Sequence, residues 1–168
     1  QNPRWTCPLT GTLKMNCDGV VTRDGEAFCG GVVRNSSGDF VVAFSGRLGR
    51  CSIIEAELRS ILYGTHILLN RNMGLDTLVE SDSYEAVKLL NEGCSRTHLC
   101  SHGVQKIRDL STQLPSFSCS YIGREANLVV DSLSKCSAPL LEEILIFESP
   151  PSFIASLLLA DTSAIFSS

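Results

Sequence analysis

Polar and apolar residues alternate from Thr12 to Cys17, with Leu13, Met15 and Cys17 set against Thr12, Lys14 and Asn16. That period of two predicts a strand with one buried face, ending at Asp18-Gly19. Phe28 to Arg34 predicts a second strand, Ser36-Ser37-Gly38-Asp39 a turn, and Phe40 to Ser45 a third strand. Connections this short favour an antiparallel meander. The period then changes. Ile54, Leu58, Ile61, Leu62, Leu68 and Leu69 recur at helical spacing from about Ser52 to Asn70. Ser52 is placed to cap this helix and Gly74 lies beyond its end. Thr77 to Asp82 reads as a fourth strand, and Ser83 as the cap of a helix carrying Ala86, Val87, Leu89 and Leu90. A polar loop from Gly93 to Ser101 precedes a helix from Gly103 to Leu114, which Pro115 stops. Phe117 to Ile122 predicts a fifth strand. Arg124 to Cys136 predicts a helix with Ala126, Val129, Val130 and Leu133 turned inward.

Three strands followed by α, β, α, α, β, α predict an α/β fold, a five-stranded mixed sheet flanked by helices. The pattern divides the chain into an extended entry segment, 1–11, a body, 12–138, and an apolar tail, 139–168. Trp5 is expected to dock on the body. In the tail, Ile144 to Phe147 either adds a strand or packs across the body, and Pro150-Pro151 opens a short helix. Phe153, Ile154, Leu157 and Leu158 form that helix's apolar face. It lacks the basic face of a membrane-surface helix, so docking on the body is expected.

Composition narrows the partners. The chain has 168 residues, 43% hydrophobic and 19% charged, which suits one globular domain with a sizeable core. Its formal net charge of -4 means that a nucleic-acid ligand would need a local basic patch, or cations among carboxylates. No apolar run reaches the roughly 18 residues of a membrane span, so no membrane partner is expected. Eight cysteines are present, with no Cys-x-x-Cys pair and no secretory leader before them. They read as reduced, mostly buried thiols in an intracellular protein, nuclear or cytoplasmic rather than secreted. The chain begins at Gln1, so it is expected to be a monomeric domain of a longer polypeptide.

The chemistry lies in four acids, each in its own short motif. These are Asp18 in Asn16-Cys17-Asp18-Gly19, Glu57 in Ala56-Glu57-Leu58, Asp82 in Glu80-Ser81-Asp82-Ser83, and Asp131 in Val130-Asp131-Ser132-Leu133. Asp18 and Asp82 fall at strand ends, where ligands of α/β sheets gather. Glu57 lies about one turn into the first long helix, and Asn127 shares a helix face with Asp131. Carboxylates are hard oxygen ligands suited to magnesium or manganese, and a cluster of them repels unless a cation sits within it. Converged, these four could hold two ions about 4 Å apart.

The same stretches resemble the RNase H-type domain of plant non-LTR retroelement proteins and related stand-alone plant proteins. Lys14-Met15-Asn16-Cys17-Asp18-Gly19, Gly30-Gly31-Val32-Val33-Arg34, Ser37-Gly38-Asp39 and Glu55-Ala56-Glu57-Leu58 carry the likeness. So do Val79-Glu80-Ser81-Asp82-Ser83, Arg124-Glu125-Ala126-Asn127 followed by Asp131-Ser132-Leu133, and the tail from Phe147 to Asp161. The resemblance implies an RNase H-like fold and Asp18, Glu57, Asp82 and Asp131 as catalytic, metal-ligating acids. It implies Mg2+, with Mn2+ also possible, and hydrolysis of the RNA strand of RNA–DNA hybrids. Asn16, Gly19, Asn127 and Arg124 are candidate substrate contacts, the first three for 2′-hydroxyl groups. Arg34, Arg47 and Arg50 are further basic residues that could face a substrate.

Three features depart from the family. Tyr121 stands where these enzymes often carry a His linked to proton transfer or metal release. Val130 replaces the usual Ala before Asp131. The loop from Gly93 to His102 offers only Arg96 and two His as a basic handle. A second class is therefore carried alongside the nuclease: a domesticated, catalytically weak or inactive domain that binds nucleic acid or a protein partner. Exonuclease or integrase chemistry is a more distant option. Cys94, His98, Cys100 and His102 have a spacing that fits no compact zinc site.

Overall fold

The first three strands fold back on one another because turn residues follow two of them. In the second turn Gly38 takes φ +82 and its amide bonds the Asn35 carbonyl at 2.9 Å, a left-handed position glycine adopts without strain. The computed structural model describes residues 4–135 and 144–166, with side chains as far as 161. Its strands β1 (Thr12–Val21), β2 (Glu26–Arg34) and β3 (Phe40–Arg50) form an antiparallel meander. Helix α1 (Ile53–Arg71) follows, then β4 (Asp76–Ser81), α2 (Tyr84–Glu92), α3 (Ser101–Ser111) and β5 (Phe117–Tyr121). A 3-10 turn (Arg124–Asn127) runs directly into α4 (Leu128–Ser134); β6 (Ile144–Phe147) and α5 (Ser152–Phe166) close the described chain. Cys136 and the start of the tail at Pro139 lie outside the described residues.

The sheet has six strands, in the order β5-β4-β1-β2-β3-β6, rather than the expected five. The sixth is the tail strand, which pairs antiparallel with β3 from Ala43↔Phe147 to Gly46↔Ile144. A bare β3 edge would leave a row of unpaired backbone groups, and the apolar Ile144–Phe147 segment covers it.

Two layers of side chains sandwich the sheet. On one face Met15, Cys17, Phe44, Leu58, Ile61, Leu68 and Val79 are buried together with Val104 and Ile107 of α3. On the other, Val32 and Ala43 meet Val129, Val130 and Leu133 of α4 and Ile154 of α5. Val130, larger than the family's usual Ala, is fully buried here, and the apolar surface brought by α5 gives it partners. The described cysteines are all free. Cys17, Cys29, Cys100 and Cys119 are buried, and burial pushes the Cys29 and Cys119 thiols up to about 12, which leaves them unreactive. No helix among the described residues is long and apolar enough to cross a membrane.

The terminal segments tie into one buried polar layer. The Trp5 indole is 2% exposed and donates to Asn16 Oδ1 at 3.0 Å. The Arg34 guanidinium lies 3.9 Å over the Trp5 ring and pairs with Asp161 of α5 at 2.6 Å. Arg34 is 1% exposed, so it is a buried tie between the two ends of the chain and not a substrate contact. Arg47 and Arg50 are exposed and lie 3.9 Å and 4.0 Å from Glu26.

Candidate functional site

Strand β1 runs on to Val21 rather than ending at Asp18, because β2 pairs with it along that whole length. Its parallel partner β4 behaves differently: the register of this pair stops at Cys17↔Ser81. Asp18 and Asp82 are each the next residue after that last pair. The two strands part there, at their carboxyl ends, and the cleft opens between them.

Glu57 reaches the same point from α1. Ser52 and Glu55 form a capping box that starts the helix, so Glu57 falls in its opening turns. Gly19 permits the close approach, since a Cβ there would stand 2.4 Å from the Ala56 carbonyl carbon. The Gly19 amide also bonds the Glu57 carboxylate. One carboxyl oxygen from each of Asp18, Glu57 and Asp82 lies within 4.8 Å of the others. Among the described residues this is the group able to hold a metal ion. Oε2 of Glu57 is buried with no hydrogen-bond partner. Hard oxygen donors at this spacing, one of them orphaned, fit a magnesium- or manganese-sized cation.

Asp131 approaches from α4, on the opposite layer. Gly30 lets that helix in, as a Cβ on it would sit 2.7 Å from the Ser134 amide nitrogen. The negative charge of Asp131 helps to raise the pKa values of Asp18 and Asp82, so it shares their field. Its own Oδ2 accepts from Lys135 at 2.9 Å, and it stands outside the 4.8 Å group. Ser134, which sequence reading passed over, donates its hydroxyl to Asp18 Oδ2 at 3.2 Å.

The electrostatics follow from burial and repulsion. Burial, then the charges of Asp82 and Asp131, push Asp18 up to about 7. Burial, then Asp18 and Asp82, push Glu57 up to about 9. Burial also raises Asp82, which the Arg124 guanidinium, 3.9 Å away, partly offsets. Without a cation the cluster therefore holds protons at neutral pH.

Of the four candidate substrate contacts, Gly19 and Arg124 line the cleft, which has a volume of about 540 Å³. Asn16 and Asn127 do not. Each is 1% exposed, and their amides are spent on internal ties. Asn16 Nδ2 donates to Glu80 Oε1 and Asn127 Oδ1, both at 3.1 Å, and Asn127 Nδ2 donates to the Cys17 carbonyl at 3.1 Å. These bonds clamp the 3-10 turn, and so the start of α4, to β1 and β4. Glu80 completes the layer with Lys14 at 3.3 Å. Lys14 also escaped sequence reading, since a lysine on a half-polar strand face gives no signal of burial. The loop His98 accepts from the Cys100 amide at 3.0 Å, an internal cap, and among the described residues it belongs to no metal-like cluster.

The family model described as "Reverse transcriptase-like" matches residues 16–137, which is most of the chain and includes all four acids. The chain belongs to that family. Within it, an RNase H-type domain is the supported reading. A protein of Arabidopsis thaliana named "Putative ribonuclease H protein At1g65750" is 31% identical over 159 residues. The match spans 94% of this chain and 26% of that protein's length. Among solved structures, RNase H1 from the archaeon Halobacterium salinarum superposes with TM-score 0.68 at 20% identity, covering 73% of this chain and 94% of that one. LC11-RNase H1, solved in complex with an RNA/DNA hybrid, gives TM-score 0.67 at 19% identity, covering 72% and 92%. The fold is that of RNase H.

Proposed function

We propose that the domain hydrolyses the RNA strand of RNA–DNA hybrids with magnesium, manganese being a workable substitute. The observation that carries this reading is the convergence of Asp18, Glu57 and Asp82 oxygens within 4.8 Å, with Glu57 Oε2 buried and unpartnered. Asp131 completes the set in the proposal, releasing Lys135 as it does so. When bound, a pair of ions supplies acidity to an attacking water and offsets charge on the leaving oxygen of an in-line displacement.

The chain's own residues do the positioning. Ser134 fixes one Asp18 oxygen, the Gly19 amide fixes Glu57, and Asn127 anchors the turn that leads into the helix carrying Asp131. Arg124, 83% exposed at the cleft rim, meets a phosphate, and the backbone around Gly19 faces the ribose whose 2′-hydroxyl distinguishes RNA from DNA.

The test is cleavage of a hybrid labelled on its RNA strand, with either metal, beside duplex DNA. RNA-strand cutting that Asp82→Asn abolishes, with DNA left whole, is the expected result. Tyr121 in the usual place of a His favours the second reading, a domain that binds hybrids and turns them over weakly or not at all. Folded protein that retains hybrid and cuts nothing with either metal would select it.

A further inference from the structure

Two tyrosines flank Asp82 on the rim of the cleft. Tyr84 opens α2, two residues beyond Asp82, and Tyr121 closes β5, paired in register with Ser81. Their rings meet edge to face, centroids 5.7 Å apart at 81°. In that geometry each ring keeps at least one broad face that the other does not cover. Both are open to solvent: Tyr121 is 52% exposed and Tyr84 is 66% exposed. Tyrosines that served only to pack would be largely covered; here Tyr121 lies in the wall of an acid-lined cleft, and Tyr84 meets it from between the lining residues Ser83 and Glu85.

The charge around them says what such a ledge is for. The cleft wall carries Asp18, Glu57, Asp82 and Glu85, and Arg124 is its one cation among the described lining residues. A phosphate chain finds little electrostatic hold there, and the whole chain is at -4. Stacking on an aromatic ring holds a nucleotide without regard to charge or base identity. Bases inside a duplex are stacked on one another and cannot offer a face, so the ring must meet a base that is unpaired.

We propose that Tyr84 and Tyr121 form a stacking ledge for an unpaired nucleobase beside the linkage to be cleaved, directing the domain to hybrid that borders single-stranded RNA. The proposal rests on the hybrid-cleavage reading of the same cleft.

The experiment uses the full chain and two hybrids of one sequence, one blunt and one with a single-stranded RNA overhang carrying 2-aminopurine at its first unpaired position. Titration without divalent cation reads binding alone. The parent should quench 2-aminopurine and bind the overhang substrate more tightly than the blunt one. In Tyr84→Leu/Tyr121→Leu the ratio of the two affinities should fall about five- to tenfold and the quench disappear. Tyr84→Phe/Tyr121→Phe should restore both, because the face and not the phenol is at work. A leucine variant that keeps the quench and the ratio, or one that weakens both substrates equally, would overturn the ledge. Cleavage in magnesium separates the two readings. If the parent cuts blunt hybrid yet shows no quench, the ledge is wrong and the nuclease stands. If the quench and ratio behave as expected while nothing is cut, the ledge stands on a binding domain.

Discussion

Glu57 is the residue that most needs a partner. Its Oε2 is buried and unbonded, and its carboxyl is raised to about 9 from 4.5, as Asp18 is to about 7 from 3.8. Between the ordinary and the raised values the folded protein holds protons that the unfolded chain has lost. The contribution of these two groups to the stability of the metal-free protein is thus full below about pH 4 and is lost as pH rises through 7 and 9. Added magnesium should stabilise in the opposite sense, more at pH 8 than at pH 5.5, because it binds the deprotonated cluster. Melting curves at both pH values, with and without the ion, check this. Asp82→Asn removes one of the repelling charges, so the metal-free variant should melt at or above the parent temperature while losing most of the magnesium-dependent shift. An Asn variant stabilised by magnesium as much as the parent would place the ions elsewhere.

At the scale of elements, the site exists because β1 touches α1 on one face of the sheet, and β2 touches α4 on the other, through residues without side chains. Gly19 sits against Ala56, and Gly30 against Ser134 and Leu133. Gly19→Ala puts a carbon within 2.5 Å of the Glu57 amide nitrogen, so β1 and α1 must separate and Asp18 must leave Glu57. A loss of about 1–3 kcal/mol in urea unfolding, with a larger fractional loss of hybrid cleavage, is expected. The capping box is a separate lever: Ser52→Ala should cost about 1 kcal/mol and leave the carboxylate geometry in place. The strand alternation of Leu13, Met15 and Cys17 and the period of Leu58, Ile61 and Leu68 made these elements readable. The length of β1 was not readable, because its last four residues are held by pairing with β2 and not by a pattern of their own.

The whole molecule closes around Arg34. Its guanidinium is 1% exposed and is shared between the Trp5 ring, Asn16 Oδ1 and Asp161, contacts drawn from both ends of the described chain. Asp161→Ala would leave a buried, unpaired charge and should cost on the order of 3 kcal/mol, measured by denaturant melts. Replacing Arg34 and Asp161 together by Met and Leu should recover much of that, which a simple loss of α5 packing would not. Net charge sets the outer behaviour. With 14 Lys and Arg against 18 Asp and Glu, few phosphates can be neutralised, so hybrid affinity should be weak and only moderately steep in salt. A logarithmic salt plot with a slope steeper than about -6 would mean more phosphate contacts than this charge balance allows.

Side-chain period, turn residues and the contexts of Asp18, Glu57, Asp82 and Asp131 were enough, by themselves, to determine the α/β order of elements and to single out four acids, three of which the fold gathers. Those signals are local: a strand alternates, a helix repeats, and an acid in a distinctive motif stands out. Tertiary structure alone decided that Arg34 is a tie and not a surface cation, and that Asn16 and Asn127 spend their amides inside. It also decided that Ile144–Phe147 is the sixth strand and that Tyr84 meets Tyr121. Each of these depends on what lies across a distance of many residues. Burial and pairing belong to the neighbour as much as to the residue, and the neighbour is chosen only when the sheet closes.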